Sequence, residues 1–432
     1  MQFERPPLAG VFVLGLTQIN AEPRPGLYSG RMSIPAALER RRSYAGPAFF
    51  SYGFRPFFFG GAVWAALSIL MWIPMHAGTW SWPSAVAPLD WHIHEMLYGY
   101  VPAIVAGFLL TAIPNWTGRL PVCGAPLAAL FALWIAGRIA MLATAGIGLP
   151  VAALVDASFL VVLFGVAARE AIAGKNWRNL RVLGVVAVLA LGNIAFHVET
   201  IRSGAADYGI RLGIAAVILL ISLVGGRIVP SFTNNWLVRE NPGRLPVPFG
   251  RYDMATLAIS ALALACWIVA PFSAVSGAFL IATGLLHIVR LARWAGDRTW
   301  RDRLVLVLHV AYAFVPAGFL LIGVAIVWPD IAPASAGIHA WTAGAIGMMT
   351  MAVMTRASLG HTRQPLVASP VTQAIYLCLF AAAIMRIAAA LTGSIGLLHS
   401  SGSLWVLGFA GFAASYGPLL IRNPPVWQRA TV

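Results

Sequence analysis

Charge is scarce in this chain: Asp, Glu, Lys and Arg make up 10% of it, against about a quarter in an ordinary soluble domain. That deficit excludes a water-soluble globule, and the 59% share of hydrophobic residues points to a membrane protein. Cysteine is almost missing. Cys123, Cys266 and Cys378 are odd in number and form no CxxC pair, which excludes both a disulfide framework and a covalent CxxCH haem attachment. Any haem is therefore non-covalent, of b type. No flavin or nicotinamide motif is present, and lysine occurs once, at Lys175. With few acids as well, intramembrane chemistry falls to the nine histidines.

What the chain has in quantity is apolar runs. Windows of about 18 to 22 residues, the length that crosses a hydrocarbon core, recur twelve times. They lie roughly at 57–75, 95–113, 126–145, 151–168, 182–200, 212–230, 255–272, 274–290, 304–327, 337–355, 371–392 and 399–420. The expected fold is all-α, with twelve transmembrane helices. Residues 1–50 read as a cytoplasmic extension, 51–425 as one membrane domain and 426–432 as a cytoplasmic tail. The stretch "LAGVFVLGLT" (8–17) is short and lacks a small-residue cleavage site, so it is not read as a signal peptide; Met32 is an alternative start.

The formal charge of +15 follows topology rather than a nucleic acid. Arg138 and Arg386 fall well inside spans, and Arg202 and Arg211 fall in one odd-numbered loop. Almost all the rest lie in the terminal segments, the even-numbered loops or the span ends beside them, such as "RLARWAGDRTWRDR" (290–303). The positive-inside rule puts both termini in the cytoplasm. Trp72, Trp80, Trp82 and Trp91 at outer span ends fit an interfacial belt.

The inner ends of the second, sixth and tenth spans resemble one another: "GFLLTAIPNWTGRLPV" (107–122), "GGRIVPSFTNNWL" (225–237) and "GMMTMAVMTRASLGHTRQPLV" (347–367). The likeness suggests three pseudo-equivalent units of four helices.

Ionisable side chains within membrane segments are expensive and default to function. On this topology His92, His94, His197 and His339 reach one outer level on the second, fifth and tenth spans. In "DWHIHEMLYGY" (90–100) His92 and His94 are turned about 200° apart on a regular helix. Glu95 then shares a face with His92, and Tyr98 with His94. The segment can serve two adjacent metal centres, or one metal and one proton-handling group; an interfacial pair bonded to lipid or loop is the structural alternative. Asn193, one turn before His197, is placed to orient its imidazole. Imidazole suits haem iron and copper, whereas a hard-ion site calls for several carboxylates.

Near the cytoplasmic side, His309 with Tyr312 at i+3 can be a haem ligand and its partner, a quinol couple or a proton relay. His287 reads as snorkelling beside Arg290, and His361 as a loop histidine. The methionines at 348, 349, 351 and 354 read first as packing. Arg138 and Arg386 need counter-charge, from haem propionates bound by the guanidinium or from Asp156 or backbone carbonyls.

Together with "GFRPFF" (53–58), the blocks "HIHEMLYGYVPAIVAGFLLTAIPNWTG" (92–118), "GGRIVPSFTNNWL" (225–237) and "HAWTAGAIGMMTMAVMTRASLGHTRQPL" (339–366) resemble the NnrS family of bacterial inner-membrane proteins, over about residues 45–425. The resemblance implies twelve helices, haem, copper and a part in the response to nitric oxide. Arg227, in the second block, joins Arg138 and Arg386 as an expected cofactor-binding residue. The chain departs from the family at "GHTRQPL", where the family usually reads Gly-His-Thr-Gly-Arg-Pro-Leu: Arg363 stands for a glycine. The layout is also similar in outline to haem–copper oxidases, although their His-Pro-Glu and His-His elements are absent.

The expected function is binding of nitric oxide at a haem or haem–copper centre and its reduction, 2 NO + 2 e⁻ + 2 H⁺ giving N₂O and water. His92, His94, His197 and His339 would hold metals, with Glu95 and Tyr98 handling protons. His309 and Tyr312 would serve a second haem or quinol, with electrons from quinol or a periplasmic donor. The competing readings are a twelve-helix transporter and a non-catalytic sensor or sink. Loop "PNWTGRLPVCGAPL" (114–127) lacks the charged signature of the commonest carriers.

Overall fold

The computed structural model describes residue 44 and residues 46–82, 84–118 and 121–422, the side chains of Asn115 and Arg178 apart. Residues 8–17, Met32 and the expected tail 426–432 lie outside the described residues.

Every long apolar run becomes a helix, and no strand occurs among the described residues. We number them α1 (Phe54–His76), α2 (Pro88–His94, Glu95–Tyr100 and Val101–Thr117), α3 (Ala125–Leu142), α4 (Leu149–Ala173), α5 (Leu180–Ser203) and α6 (Tyr208–Glu240). Then come α7 (Arg251–Val269), α8 (Ala274–Ala292), α9 (Arg303–Val327), α10 (Ala334–His339, Ala340–Gly347 and Met348–His361), α11 (Pro370–Thr392) and α12 (Ile395–Ile421). All but α10 are long and apolar enough to cross a membrane. The α10 run is continuous but diluted by Thr, His and Trp. The fold is that of an all-α, multi-pass membrane protein.

Local chemistry sets the ends. Asp302 accepts hydrogen bonds from the Leu304 and Val305 amides to start α9, and Ser369 does the same for α11 through Thr372. Gly118, Gly204 and Gly393 close α2, α5 and α11 in the left-handed region that glycine enters freely.

Consecutive helices pack side by side, and α12 returns onto α1. Inside this ring run α2 and α6, whose apolar cores are 89% and 67% buried, against 33% for α4, α7 and α11. Tyr98 of α2 donates to the Gly209 carbonyl of α6 at 2.5 Å, and Tyr100 of α2 is hydrogen-bonded to Thr350 of α10. The second, sixth and tenth helices thus meet at the centre.

Two of the three share a device at the opposite end from the sequence likeness. In α2 the first segment ends at His94 and passes into the π-helical turn Glu95–Tyr100; in α10 it ends at His339 and passes into the π-helical Ala340–Gly347. Pro102 helps explain the first: it has no N–H for the Tyr98 carbonyl and crowds it, so the regular ladder cannot pass through. A π turn changes the angle at which successive side chains leave the helix. That rotation decides where His92, His94 and Glu95 point.

Candidate metal centre

His94 leaves α2 toward α4 and α5 and is fully buried. Its Nδ1 donates to Glu95 Oε1 at 2.8 Å. Its Nε2 lies 3.1 Å from Asp156 Oδ2 and 3.2 Å from Asn193 Oδ1. On α5, His197 brings its Nε2 to 2.9 Å from the same Asp156 oxygen, and Asn193 donates to that oxygen at 2.9 Å. One ligand atom each from His94, Asp156 and His197 lie within 4.8 Å of one another, and all three residues are buried. This group can bind a metal ion.

Arg138 of α3 completes the cluster. Its Nη1 donates to Glu95 Oε2 at 2.7 Å and its Nη2 to Asp156 Oδ1, while Trp64 Nε1 donates to Glu95 Oε2 at 2.8 Å. The two acids therefore supply the counter-charge of Arg138, and the haem propionate expected for it is replaced by Glu95 and Asp156. Burying such charges is tolerable only when they are paired and hydrogen-bonded, as here.

Fit to a metal follows from the donor chemistry. Glu95 fixes the His94 proton on Nδ1, so Nε2 is the basic nitrogen, and it faces a carboxylate oxygen that a second imidazole also approaches. A cation between these atoms satisfies all three, and a carboxylate behind a ligating imidazole is the usual arrangement. Tyr98 and Phe196 wall the group with rings 5.6 and 4.9 Å from that of His94.

The four outer histidines do not form one cluster. His92 leaves α2 on the other side and stacks on Trp72 at 4.1 Å. It lines a cavity of about 450 Å³ between α1, α2, α6, α10, α11 and α12, together with His339, Arg386, Tyr100 and Trp405. Glu95 turns to His94 and Arg138, not to the face of His92. Tyr98 packs beside His94, with its hydroxyl in a notch between Gly192 and Gly213. Trp72 and Trp91 are buried, while Trp80 is exposed, so two of the expected belt tryptophans belong to the interior.

Beyond these groups and the hydroxyl side chains Ser335, Thr342 and Ser401, the cavity lining is apolar. His339 Nδ1 donates to the Ser335 carbonyl at 2.7 Å, which leaves Nε2 as its basic nitrogen. His92 Nδ1 is buried without a hydrogen-bond partner, and Arg386 has no hydrogen-bond or ion-pair partner among the described residues. Such a chamber, with imidazole nitrogens and a guanidinium, fits a haem and its propionates.

The remaining expected residues sit elsewhere. Tyr312 is not paired with His309: it donates to His287 Nδ1 at 3.0 Å and accepts from Arg290 at 2.8 Å. His287 Nε2 is 2.9 Å from Ser260 Oγ, and Arg290 is bonded to Asp253 at 2.9 Å. His287 is wholly buried rather than snorkelling. His309 Nε2 is 2.7 Å from Thr233 Oγ1. Arg227 lies on α6, in neither the metal group nor the cavity lining. Met348, Met349, Met351 and Met354 are buried packing, and His361 stacks near Tyr52 and Phe54.

The residue sequence reasoning undervalued is Asp156, entertained only as a counter-charge for the arginines Arg138 and Arg386. A lone acid in an apolar run was the available signal.

Fold and site define a multi-pass, all-α membrane protein with a buried His–Asp–His group, able to hold a metal ion, beside an apolar chamber. The NnrS protein family matches residues 48–423, nearly the whole described chain, and the chain belongs to that family. No curated relative and no solved structure matches it. Arg363, which stands where the family usually has glycine, has φ of 60°, the left-handed region that glycine favours.

Proposed function

We propose that this chain is a redox protein of the nitric oxide response in the bacterial inner membrane, with a haem in the cavity and a transition metal at His94, Asp156 and His197. The observation that carries the reading is the division of imidazoles across α2. His94 faces a carboxylate and a second histidine, while His92 faces an apolar chamber shared with His339 and Arg386.

When bound, haem supplies an iron that takes nitric oxide and exchanges single electrons. The chain's own residues do the rest. His92 and His339 offer basic nitrogens, and Arg386 offers charge for propionates. Trp72 and Trp405 exclude water. Glu95 holds a proton on His94 Nδ1, and Arg138 pairs with both acids in a dry interior. Reduction of two nitric oxide molecules to nitrous oxide and water needs two electrons and two protons, from quinol or a periplasmic donor.

The test is an optical spectrum of the purified, dithionite-reduced protein before and after anaerobic nitric oxide, with headspace nitrous oxide on the same sample. A Soret band that shifts with nitric oxide and sustained nitrous oxide are the expected results. Uptake that stops at stoichiometry makes the protein a sink. A folded sample without haem overturns the reading in favour of transport.

A further inference from the structure

Resting on the reading that the His94–Asp156–His197 group takes a metal, we propose that this metal is non-haem iron(II), held by two imidazoles and one monodentate carboxylate, rather than the copper that the imidazoles alone suggest. The reasoning starts from how Arg138 divides Asp156. The guanidinium takes Oδ1, so only Oδ2 is turned to the imidazoles, and the carboxylate can give one oxygen but not two.

Glu95 cannot act as a further ligand in this arrangement. Its Oε1 holds the His94 Nδ1 proton, and its Oε2 receives both Arg138 and Trp64. The donor set is therefore two nitrogens and one oxygen, with Asn193 Oδ1, 3.2 Å from His94 Nε2, as the one further oxygen at the site.

Both imidazoles approach the same carboxylate oxygen. Asp156 Oδ2 stands 3.1 Å from His94 Nε2 and 2.9 Å from His197 Nε2. Two imidazoles and one carboxylate oxygen, with other positions left for substrate, are the donor pattern of non-haem iron(II). Soft Cu(I) is selected by sulfur and Cu(II) by planar sets. No thiolate belongs to this group, and the nearest thioether in sequence, Met96, accepts the Ser68 hydroxyl at 3.3 Å and lines the cavity instead.

The test uses the full-length protein, purified from cells grown with both iron and copper. Iron, copper and haem are measured on one sample, and an EPR spectrum is recorded after anaerobic nitric oxide. Iron in excess of haem, with the quartet-spin signal that nitric oxide gives on non-haem ferrous iron, is expected. Both should disappear in Asp156→Asn and His197→Gln while the Soret band stays. Copper in place of that iron, lost in the same variants, overturns the proposal; so does a haem-containing protein with neither metal. A quartet signal in a protein without haem sustains it while removing the haem reading. The wild-type measurement decides between iron and copper even where a variant does not fold.

Discussion

Gly99 and Arg138 occupy one another's space: a Cβ on Gly99 would overlap the guanidinium Nη1. The missing side chain on the π turn of α2 lets Arg138 lie against the helix and reach Glu95 and Asp156 together. Replacing Gly99 by alanine is therefore expected to expel the guanidinium and leave two buried carboxylates without their cation. Overpacking alone costs about 1–3 kcal/mol. The Gly99→Ala protein should melt earlier in detergent and bind less metal, although no ligand has changed. An unaltered melting curve with full metal content would remove Arg138 from the argument.

Glu95 acts through His94, so its conservative variant separates orientation from ligation. In Glu95→Gln the amide still reaches His94 Nδ1 but has lost the charge that favours the proton there, and the bond to Arg138 is weakened. Changes to partners of this kind lower metal affinity about 10–100-fold. A chelator titration of the purified protein reads this directly. Retention equal to wild type would mean that Glu95 serves only to neutralise Arg138.

The two sides of α2 should be separable by mutation. His92→Ala and His339→Ala are expected to lose haem absorbance and keep the other metal, and Arg386→Leu to weaken haem retention. His94→Ala and His197→Ala should show the reverse. Parallel metal and haem analysis of the five proteins checks this. Loss of haem from the His197 variant alone would put the haem on the wrong side of the helix.

Tyr312 and Asp253 carry a second buried network whose value is structural. Ser260 donates to the Thr256 carbonyl, so His287 Nε2 donates to Ser260 and His287 Nδ1 accepts from Tyr312. Tyr312→Phe leaves that nitrogen and Arg290 each short of a partner, at a cost of about 1–3 kcal/mol. Asp253→Ala leaves a buried guanidinium unpaired, at about 3–5 kcal/mol. Thermal unfolding in detergent should rank wild type, Tyr312→Phe and Asp253→Ala in falling order. The opposite order for the two variants would show that Asp253 is not the main counter-charge of Arg290.

Much of this architecture was legible because apolar length is a property of single segments. The helices and the motif blocks of the family needed no neighbour to be recognised. The grouping within the site depends on rotation, and rotation was not legible. A regular helix puts Glu95 near the face of His92, but Arg138 and Trp64, from other helices, draw its carboxylate to the side of His94. Asp156 gave no sign that three helices converge on it, since periodicity within α4 says nothing about α2 or α5. His287, five residues from the end of α8, looked free to snorkel because its cover comes from α7 and α9.

Arg363 gives the most local prediction. The end of α10 forms two reversed hydrogen bonds, Arg363 N–H to the Gly360 carbonyl at 3.3 Å and Gln364 N–H to the Leu359 carbonyl at 2.9 Å, the pattern that closes a helix on a left-handed residue. A residue with a Cβ holds that conformation at about 1–2 kcal/mol, and the Arg363 side chain is exposed. Glycine removes the strain but gains backbone freedom in the unfolded chain, worth about 0.4–1 kcal/mol against it. Arg363→Gly is therefore expected to stabilise the protein by a net ~0–1.6 kcal/mol, with metal and haem content unchanged. A lower melting temperature in that variant would mean that the Arg363 side chain contributes more than its exposure implies, and that its departure from the family glycine carries a role of its own.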